Sequence, residues 1–167
     1  MATAEFKSTE ITNAESLPRT YNHAAHDIGK VRVKSAVLEL TTAFDQADIA
    51  AICKLPANAS VKRIDWYGDN FATGQGHVGL YTGPDSSNLT VADVDAYATT
   101  FDFGTGANTT GVNLAFATRA IDNVNKLVYE DAGDTVGEYS EYWLCLTCHT
   151  EDFAAGTIMF EVFYTVE

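Results

Sequence analysis

The amino-acid sequence predicts an all-β fold, a sandwich or a barrel, and two observations support this. Near the C-terminus, every second residue from Ile158 to Val166 is apolar, and the residues between them are of mixed polarity. A period of two residues is typical of a strand with one face in a core. Further upstream, short segments rich in β-forming residues recur at roughly even spacing, with turn residues between them. The length of 167 residues suits a single domain with a substantial core.

Four strands are predicted in the first half of the chain, at residues 31–40, 49–55, 61–67 and 77–82. In the first of them, the large apolar residues stand at odd-numbered positions up to Val37 and at even-numbered positions from Leu38 onward. This shift of the alternation by one residue indicates a β-bulge near Val37. The second and third are separated by Pro56-Ala57-Asn58-Ala59, a turn whose proline ends ladder pairing. Gly83-Pro84-Asp85-Ser86 closes the fourth strand.

Two more strands are predicted at the C-terminal end, in residues 138–149 and 156–166. Both are rich in β-forming residues. Residues 150–155 form a short connection, so we expect the two strands to be antiparallel neighbours.

The remaining segments are less regular. Residues 93–103 suit a helical turn that runs into a strand, and the pattern leaves their structure open. Residues 118–131 predict a short helix over one end of the sandwich, because Ile121, Val124 and Val128 follow helical spacing.

The N-terminal segment is predicted to be an extended arm. Residues 1–26 are polar, lack firm periodicity and contain Pro18. The predicted organisation is therefore an arm at residues 1–26 and a single β-sandwich domain at residues 27–167.

The charge of the chain limits its partners. Asp and Glu total 23 against 10 Lys and Arg, which gives a formal net charge of −13. Nucleic acid binding depends on Lys and Arg that displace counterions, so we expect no nucleic acid partner. The first residues have neither a basic region nor an apolar run, and no stretch approaches the ~18 apolar residues of a membrane span, so we expect no signal peptide and no membrane association.

The string Cys145-Leu-Thr-Cys148-His149 matches the attachment pattern of c-type haem. In a strand, side chains three residues apart point to opposite faces, so both sulfurs cannot reach one porphyrin or one metal ion. An odd count of three cysteines, with Cys53, in a chain without a predicted export signal favours free, buried thiols. Haem attachment and a zinc site are the alternatives.

The string Gly74-Gln-Gly-His-Val-Gly79 fits the dinucleotide-binding fingerprint. That fingerprint follows a strand and opens a helix, whose terminal amides meet the pyrophosphate. These glycines instead lead into the predicted strand at residues 77–82, so we expect a flexible loop and no cofactor.

His23 and His26, with Asp27, could form part of a metal site, because two imidazoles and a carboxylate suit zinc. The sequence places no further ligand beside them. On an extended arm, a solvated pair or packing against a neighbouring subunit is the better interpretation, and their role stays open.

Two acidic pairs, Asp93 with Asp95 and Asp131 with Asp134, could bind calcium. Neither lies in the twelve-residue loop pattern, so solvated acidic loops are favoured and no metal site is predicted. No nucleophile, base and orienting residue occur in a recognisable pattern, and we therefore expect no enzyme activity and no catalytic residues.

The order of the segments resembles a family of small proteins of tailed-phage heads, the capsid decoration or cement proteins. The match covers nearly the whole chain, and the cysteine-rich residues 143–149 and residues 23–26 depart from it. The matching segments are Lys7-Ser-Thr-Glu-Ile-Thr-Asn13 (polar opening), Leu55-Pro-Ala-Asn-Ala-Ser-Val61 (strand-turn-strand), Gly76-His-Val-Gly-Leu-Tyr81 (the next strand), residues 93–98 and 126–133 (two short helical pieces) and residues 154–166 (closing strand).

This resemblance implies a jelly-roll-like antiparallel β-sandwich that binds the outside of an assembled capsid. The implied partners are the major capsid protein and two further copies of the chain, in a trimer at local threefold positions. The implied location is the outer surface of the virion, after synthesis in the host cytoplasm. The alternative is a carbohydrate-binding jelly roll for host adhesion, suggested by the aromatic residues Trp66, Tyr67, Phe71 and Tyr97.

Overall fold

Strands with one buried face dominate the structure, a computed structural model that describes residues 16, 18, 30–41, 43–104 and 106–166. Two antiparallel sheets of four strands each enclose the core, which confirms the predicted all-β sandwich. The strands are β1 (Arg32–Leu40), β2 (Ile49–Pro56), β3 (Ala59–Gly68), β4 (Gln75–Thr82), β5 (Thr90–Asp102), β6 (Asn108–Asn113), β7 (Glu141–Cys148) and β8 (Gly156–Val166).

The strand order is β1-β8-β3-β6 in the first sheet and β2-β7-β4-β5 in the second. The antiparallel pairs β1 with β8, β2 with β7, β3 with β6 and β4 with β5 are those of one long hairpin whose tip is the β4–β5 connection. The further pairs β3 with β8 and β4 with β7 roll this hairpin into two sheets. Of these six pairs of described strands, only β4 and β5 follow one another in the chain, and the other five join strands that are distant in sequence.

The predicted inner face of β8 is confirmed. Ile158, Phe160, Val162 and Tyr164 are buried in the core, while the residues between them are half-buried. Thr165, which follows Tyr164 on the other face, is buried as well. Burial of each such side chain contributes about 1.5–3 kcal/mol to folding. The alternation seen in the sequence therefore reflects the main source of stability of the central strand.

The prediction that the last two strands are antiparallel neighbours is wrong. β7 pairs with β2 and β4 in the second sheet, whereas β8 pairs with β1 and β3 in the first. The connection between them crosses from one sheet to the other. It carries Phe153, which is fully buried and makes edge-to-face contacts with Phe44 and Phe71 at 5.6 Å between ring centroids. Burial of this ring at the end of the sandwich favours the crossing over a hairpin.

The predicted bulge near Val37 is also wrong. β1 pairs with β8 without a shift from Arg32 opposite Tyr164 to Leu40 opposite Gly156. The change of parity arises because β1 carries apolar residues on both faces: Leu40 packs on the core, and Val37 is 58% exposed on the outside. Among the described strands, register shifts occur instead where β2 pairs with β7, where β3 pairs with β8 and β6, and where β4 pairs with β5.

Residues 93–103, left open by the sequence, lie almost entirely in β5, so the helical piece implied at residues 93–98 is wrong. The sequence does not predict β6, because its six residues Asn108–Asn113 are mainly polar. This strand lies at the edge of the first sheet, where few of its side chains need a buried environment.

The single helix predicted at residues 118–131 is divided. A 3-10 helix, Ile121–Asn125, is followed by the short helix α1, Val128–Asp131. The chain is extended at Lys126, with φ −60° and ψ 146°, which ends the first helix. The expected apolar face does not form as a unit, because Ile121 is 85% exposed and only Val128 is fully buried.

The predicted arm at residues 1–26 lies outside the described residues, apart from residues 16 and 18. His23 and His26 also lie outside them. The division of the chain at residue 26, and the role of the two histidines, therefore stay predictions.

Candidate functional site

Cys145 and Cys148 lie on opposite faces of β7, as their spacing predicts. Cys148 belongs to the core between the sheets, on the same face as Leu144 and Leu146. Cys145 is fully buried on the other side of the strand, where it lies opposite Gly79 of β4. The two sulfurs therefore cannot hold one metal ion or one haem together.

All three cysteines are free thiols, as predicted; Cys145 and Cys148 are buried as expected, whereas Cys53 is half-buried. Burial raises the pKa of Cys53 to about 11, of Cys145 to about 12 and of Cys148 to about 11. The thiolate is the form that attacks electrophiles and binds metals. Thiols that stay protonated at neutral pH serve here as small apolar side chains.

We expect the native protein to react slowly with a thiol-specific disulfide reagent at pH 8. Each unit by which the pKa of a thiol rises lowers its thiolate fraction about tenfold, so labelling should be at least about 100-fold slower than that of a free thiol. Absorbance of the released reagent measures the rate. In concentrated guanidinium all three thiols should react, and rapid labelling of the native fold would contradict this account.

His77 and His149 form a pair of rings tilted by 47° to one another, which the sequence does not predict. Their ring centroids lie 4.2 Å apart, and His77 is 9% exposed. The backbone N–H of Thr100 donates to Nδ1 of His77 at 3.1 Å, which places the proton of the neutral ring on Nε2. Burial, and then the charge of His149, lower the pKa of His77, while Asp95 opposes this shift. Only the register of β4 against β7 brings these residues together, and the sequence does not specify that register.

The glycine string leads into strand β4 and not into a helix, as predicted, but the expected flexible loop is wrong, because Gly76 and Gly79 lie within the strand itself. Gly79 is required by the close approach of β5: a Cβ atom there would lie 2.2 Å from the carbonyl carbon and oxygen of Val94. At Gly76, a Cβ atom would lie 2.9 Å from the carbonyl oxygen of Thr147. These glycines therefore permit packing of neighbouring backbones.

Asp131 does not lie in a solvated acidic loop, contrary to the prediction. Its side chain is 4% exposed, and its Oδ2 atom accepts hydrogen bonds from Nη2 of Arg119 at 2.9 Å and from the hydroxyl of Tyr97 at 3.2 Å. Arg119 also donates to the carbonyl oxygens of Val61 and Lys126. Burial raises the pKa of Asp131 to about 6, although Arg119 opposes this shift. The ion pair lies within the segment of the two short helices, and the hydrogen bond from Arg119 to Val61 joins that segment to β3.

The other predicted acidic loops are also corrected. Asp134 is half-buried and accepts a hydrogen bond from the hydroxyl of Tyr142 at 2.7 Å. Asp93 and Asp95 lie within β5, where the backbone N–H of Asp95 donates to Asp93. Nowhere in residues 30–41, 43–104 and 106–166 do three or more His, Cys, Asp or Glu side chains meet as a metal site would require.

Three of the four aromatic residues that suggested glycan binding belong to the core. Trp66 is 2% exposed, Phe71 is 1% exposed and Tyr97 is fully buried. Tyr67 alone of the four is half-exposed. A sugar cannot stack on rings that the core already encloses.

A cleft of about 410 Å³ lies beside Trp143 and Tyr139. The indole N–H of Trp143 donates to the carbonyl oxygen of Gly83 at 3.1 Å, which fixes the ring. The ammonium group of Lys54 lies 4.5 Å from the ring centroid and 3.6 Å from a carboxylate oxygen of Glu141. A side chain of the protein itself therefore already occupies a face of this ring.

The outer face of the first sheet carries a group of apolar side chains near its β1 edge. Val31, Val33 and Val37 are 62%, 50% and 58% exposed. Val33 lies opposite Phe163, and Val37 lies opposite Met159, both half-buried on β8. We call these five residues the valine face, together with the charged residues between and beside them, which are Glu39, Arg63, Asp65 and Glu161.

The charged groups of the valine face have partners within it. Arg63 and Asp65 form an ion pair at 2.6 Å. A carboxylate oxygen of Glu161 accepts a hydrogen bond from the hydroxyl of Tyr67 at 3.3 Å. Glu39 accepts one from the hydroxyl of Thr157 at 3.0 Å. The face therefore combines exposed apolar area with one ion pair and with two carboxylates, Glu39 and Glu161, whose hydrogen bonds come from neutral hydroxyl groups.

Comparison with solved structures finds the same architecture in particles of two viruses. A chain of the capsid of Ralstonia phage GP4 has a TM-score of 0.62 and 17% sequence identity, over 84% of this chain and 88% of that one. A chain of the cyanophage Pam1 capsid asymmetric unit has a TM-score of 0.52 and 18% identity, over 92% and 97%. Two phage capsid chains share this fold. No protein-family model and no curated protein matches the sequence.

The helices of the described residues are short. None of them has the length and hydropathy that a membrane crossing requires.

Proposed function

We propose that the chain is a capsid decoration protein of a tailed phage. It binds the outside of the assembled shell as a homotrimer and stabilises the shell through contacts with the major capsid protein. The observation that carries the proposal is the likeness in fold to a chain of the GP4 capsid, which extends over 84% of this protein. The order of sequence segments points independently to the same class.

The strand pairing supports the jelly-roll part of this proposal. Eight strands paired as one rolled hairpin are the arrangement expected of a jelly roll, a fold common in viral capsid proteins. Of the groups that could have suggested chemistry, Cys145, Cys148 and the side chain of Asp131 are buried within the fold, and Cys53 is half-buried. A protein of this kind works by adhesion, so we propose no enzyme activity.

Stabilisation follows from selective binding. A protein that binds the expanded shell, and not the shell before expansion or after rupture, shifts the equilibrium toward the expanded state. With free protein at ~100 times its dissociation constant, each site contributes about 2.7 kcal/mol. Many occupied sites together resist the outward pressure of packaged DNA.

The charge supports an outward position. Three copies carry −39, three times the −13 of one chain. On the inner surface this charge would repel the phosphates of packaged DNA, whereas on the outer surface it would not oppose packaging.

Shell binding can be tested with particles assembled without this chain. Purified protein should co-sediment with expanded shells and raise the temperature at which they release DNA. Unexpanded shells serve as the control and should bind much less. Failure to bind expanded shells, with the protein folded by circular dichroism, would contradict the proposal.

Deleting residues 1–26 should abolish shell binding and leave the sandwich folded. The described strands begin at Arg32, so the deletion removes no strand of either sheet. Three arms per trimer would bind with avidity, because once one arm binds, the others meet their sites at high effective concentration. Sedimentation with shells measures binding, and circular dichroism checks the fold. A truncated protein that still decorates shells would show that the arm is dispensable.

A carbohydrate-binding adhesin is the second candidate. Three of the four aromatic residues that suggested it are buried in the core, so they cannot stack on a sugar. The ring of Trp143 is already in contact with Lys54. Binding to a glycan array without binding to shells would favour the adhesin over the decoration protein.

A further inference from the structure

We propose that His77 and His149 form an acid-sensitive switch, in which protonation of His77 releases the bulge of β5 at Thr99 and Thr100. At neutral pH the uncharged ring of His77 holds this bulge closed. The inference goes beyond the proposed function and does not rest on it, because it concerns bonds and charges within one chain.

The bulge lies where the edge strand β5 pairs with β4. At this point β4 has one residue, His77, and β5 has two, Thr99 and Thr100. An extra residue interrupts the ladder of a sheet, so a backbone N–H group there needs an acceptor from outside the ladder. The N–H group of Thr100 donates to Nδ1 of His77 at 3.1 Å, and the hydroxyl oxygen of Thr99 lies 3.3 Å from the same atom.

Thr100 has a strained backbone conformation. Its φ is +45°, in the left-handed region that a β-branched residue rarely adopts. Such a conformation costs free energy and persists only where neighbouring contacts stabilise it. Both threonines are exposed, so burial contributes little, and the hydrogen bond to His77 is a contact that holds them. Loss of this bond therefore favours release of the bulge.

The hydrogen bond requires an uncharged ring. Nδ1 of His77 accepts from Thr100 through the lone pair that a second proton would occupy. In the charged imidazolium both ring nitrogens are donors, so the N–H group of Thr100 would face another N–H group. Acid therefore breaks this bond at one defined atom.

The charged groups around His77 act on its protonation in opposite directions. The ring centroid of His149 lies 4.2 Å away, so protonation of both rings would place two positive charges side by side. Burial, and then the charge of His149, lower the pKa of His77, whereas Asp95 of β5 opposes this shift. Asp102 of β5 and Glu151 of the connection after β7 lie near the same end of the sheet and are exposed, so solvent screens their charges.

The other described residues on this face of the second sheet are uncharged where they meet His77. Thr147 of β7 lies opposite His77, and Ile49 of β2 lies opposite Thr147. Burial raises the pKa of Tyr81 and of Cys145, the titratable side chains farther along the face, so both stay neutral in acid. The balance is therefore set by the two histidines and the carboxylate of β5.

Acid should destabilise the closed bulge. Since the pKa of His77 is lower in the folded state than the ordinary 6.5, the closed form is favoured above pH 6.5 and loses this contribution as the pH falls below it. A released ring titrates with the ordinary pKa of about 6.5, so the ratio of released to closed bulge should rise about 30-fold from pH 8 to pH 5.

The test is a pH titration of full-length protein by NMR, with the histidines and threonines labelled with nitrogen-15. At pH 8 the ring nitrogens of His77 should show a neutral ring with its proton on Nε2. The protection of the Thr100 amide against hydrogen exchange should fall about 30-fold from pH 8 to pH 5, after correction for the intrinsic pH dependence of exchange.

His77→Asn is the matched control. The side-chain oxygen of asparagine stands at the place of Nδ1 and accepts a hydrogen bond at every pH, so the protection of Thr100 should not change with pH. His149→Gln keeps the hydrogen bond and removes the second charge, so the pKa of His77 should rise toward 6.5. Circular dichroism checks that each variant is folded.

Protection of Thr100 that is independent of pH in the wild type would overturn the inference, and so would the same loss of protection in His77→Asn. A pKa of 6.5 or above for His77 would also overturn it. Should His77→Asn not fold, His149→Gln decides: an unchanged pKa of His77 in that variant would contradict the coupled pair. No shell takes part in these measurements, so their failure leaves the proposed function as it stands.

Discussion

Replacing Arg119 by methionine is expected to lower the free energy of unfolding by about 3–5 kcal/mol at pH 8, since it leaves a buried carboxylate without its counter-ion. The side chains of Arg119 and Asp131 are 2% and 4% exposed. Arg119 also satisfies the carbonyl oxygens of Val61 and Lys126, which the variant would leave without this donor. Urea denaturation followed by circular dichroism measures the loss.

The loss should be smaller at pH 5. Burial raises the pKa of Asp131 to about 6, above its usual value, so the folded state binds this proton more tightly than the unfolded chain. The contribution of Asp131 to the free energy of unfolding therefore increases as the pH falls through 6. Without Arg119 the pKa rises further, and each unit of that rise makes the loss about 1.4 kcal/mol larger at pH 8 than at pH 5. A loss independent of pH would contradict the assignment of a charged pair.

Two variants serve as controls for Arg119. The double variant R119M/D131N should recover much of the stability lost in R119M, because the uncompensated carboxylate is gone. Lys126→Met removes an exposed cation from the same segment and should change stability by less than about 0.5 kcal/mol.

Replacing Gly79 by alanine should be the most damaging single-methyl substitution in the second sheet. The added Cβ would lie 2.2 Å from the carbonyl group of Val94 and 2.3 Å from the carbonyl oxygen of Asp93. Backbone atoms of a paired strand cannot move aside as a flexible side chain can, so β4 and β5 must separate. We expect a loss of about 3 kcal/mol or more, at or above the usual limit for overpacking, measured by thermal or urea unfolding.

Gly137→Ala is the matched control for Gly79. No atom lies within 4 Å of its added Cβ, and its φ of +84° makes the substitution strained but not obstructed. Its expected loss is about 1 kcal/mol. Equal losses at the two positions would show that the approach of β5 to β4 is looser than the structure indicates.

The sequence predicts those parts of the fold that depend on local alternation. The inner face of β8 follows from period two, and the separation of Cys145 from Cys148 follows from the same geometry. The pairing of strands depends on long-range packing, which local pattern does not encode. β7 and β8 were predicted as neighbours because a short connection joins them, yet each is a central strand of its own sheet.

The sequence does not predict that the valine face is exposed, for a related reason. Val33 and Val37 look like core residues in the sequence, and their parity suggested a bulge. Only the pairing of β1 with β8 shows that they point outward. The sequence does not predict that Arg119 pairs with Asp131. The two residues are brought together by the path of the two short helices between them, which local pattern does not specify.

An electron cryo-microscopy map of the native particle tests the central claim most directly. The proposal predicts density for an eight-stranded sandwich on the outer surface, at local threefold positions, with an arm reaching toward the major capsid protein. Absence of the chain from purified virions, or its density on the inner surface, would contradict it.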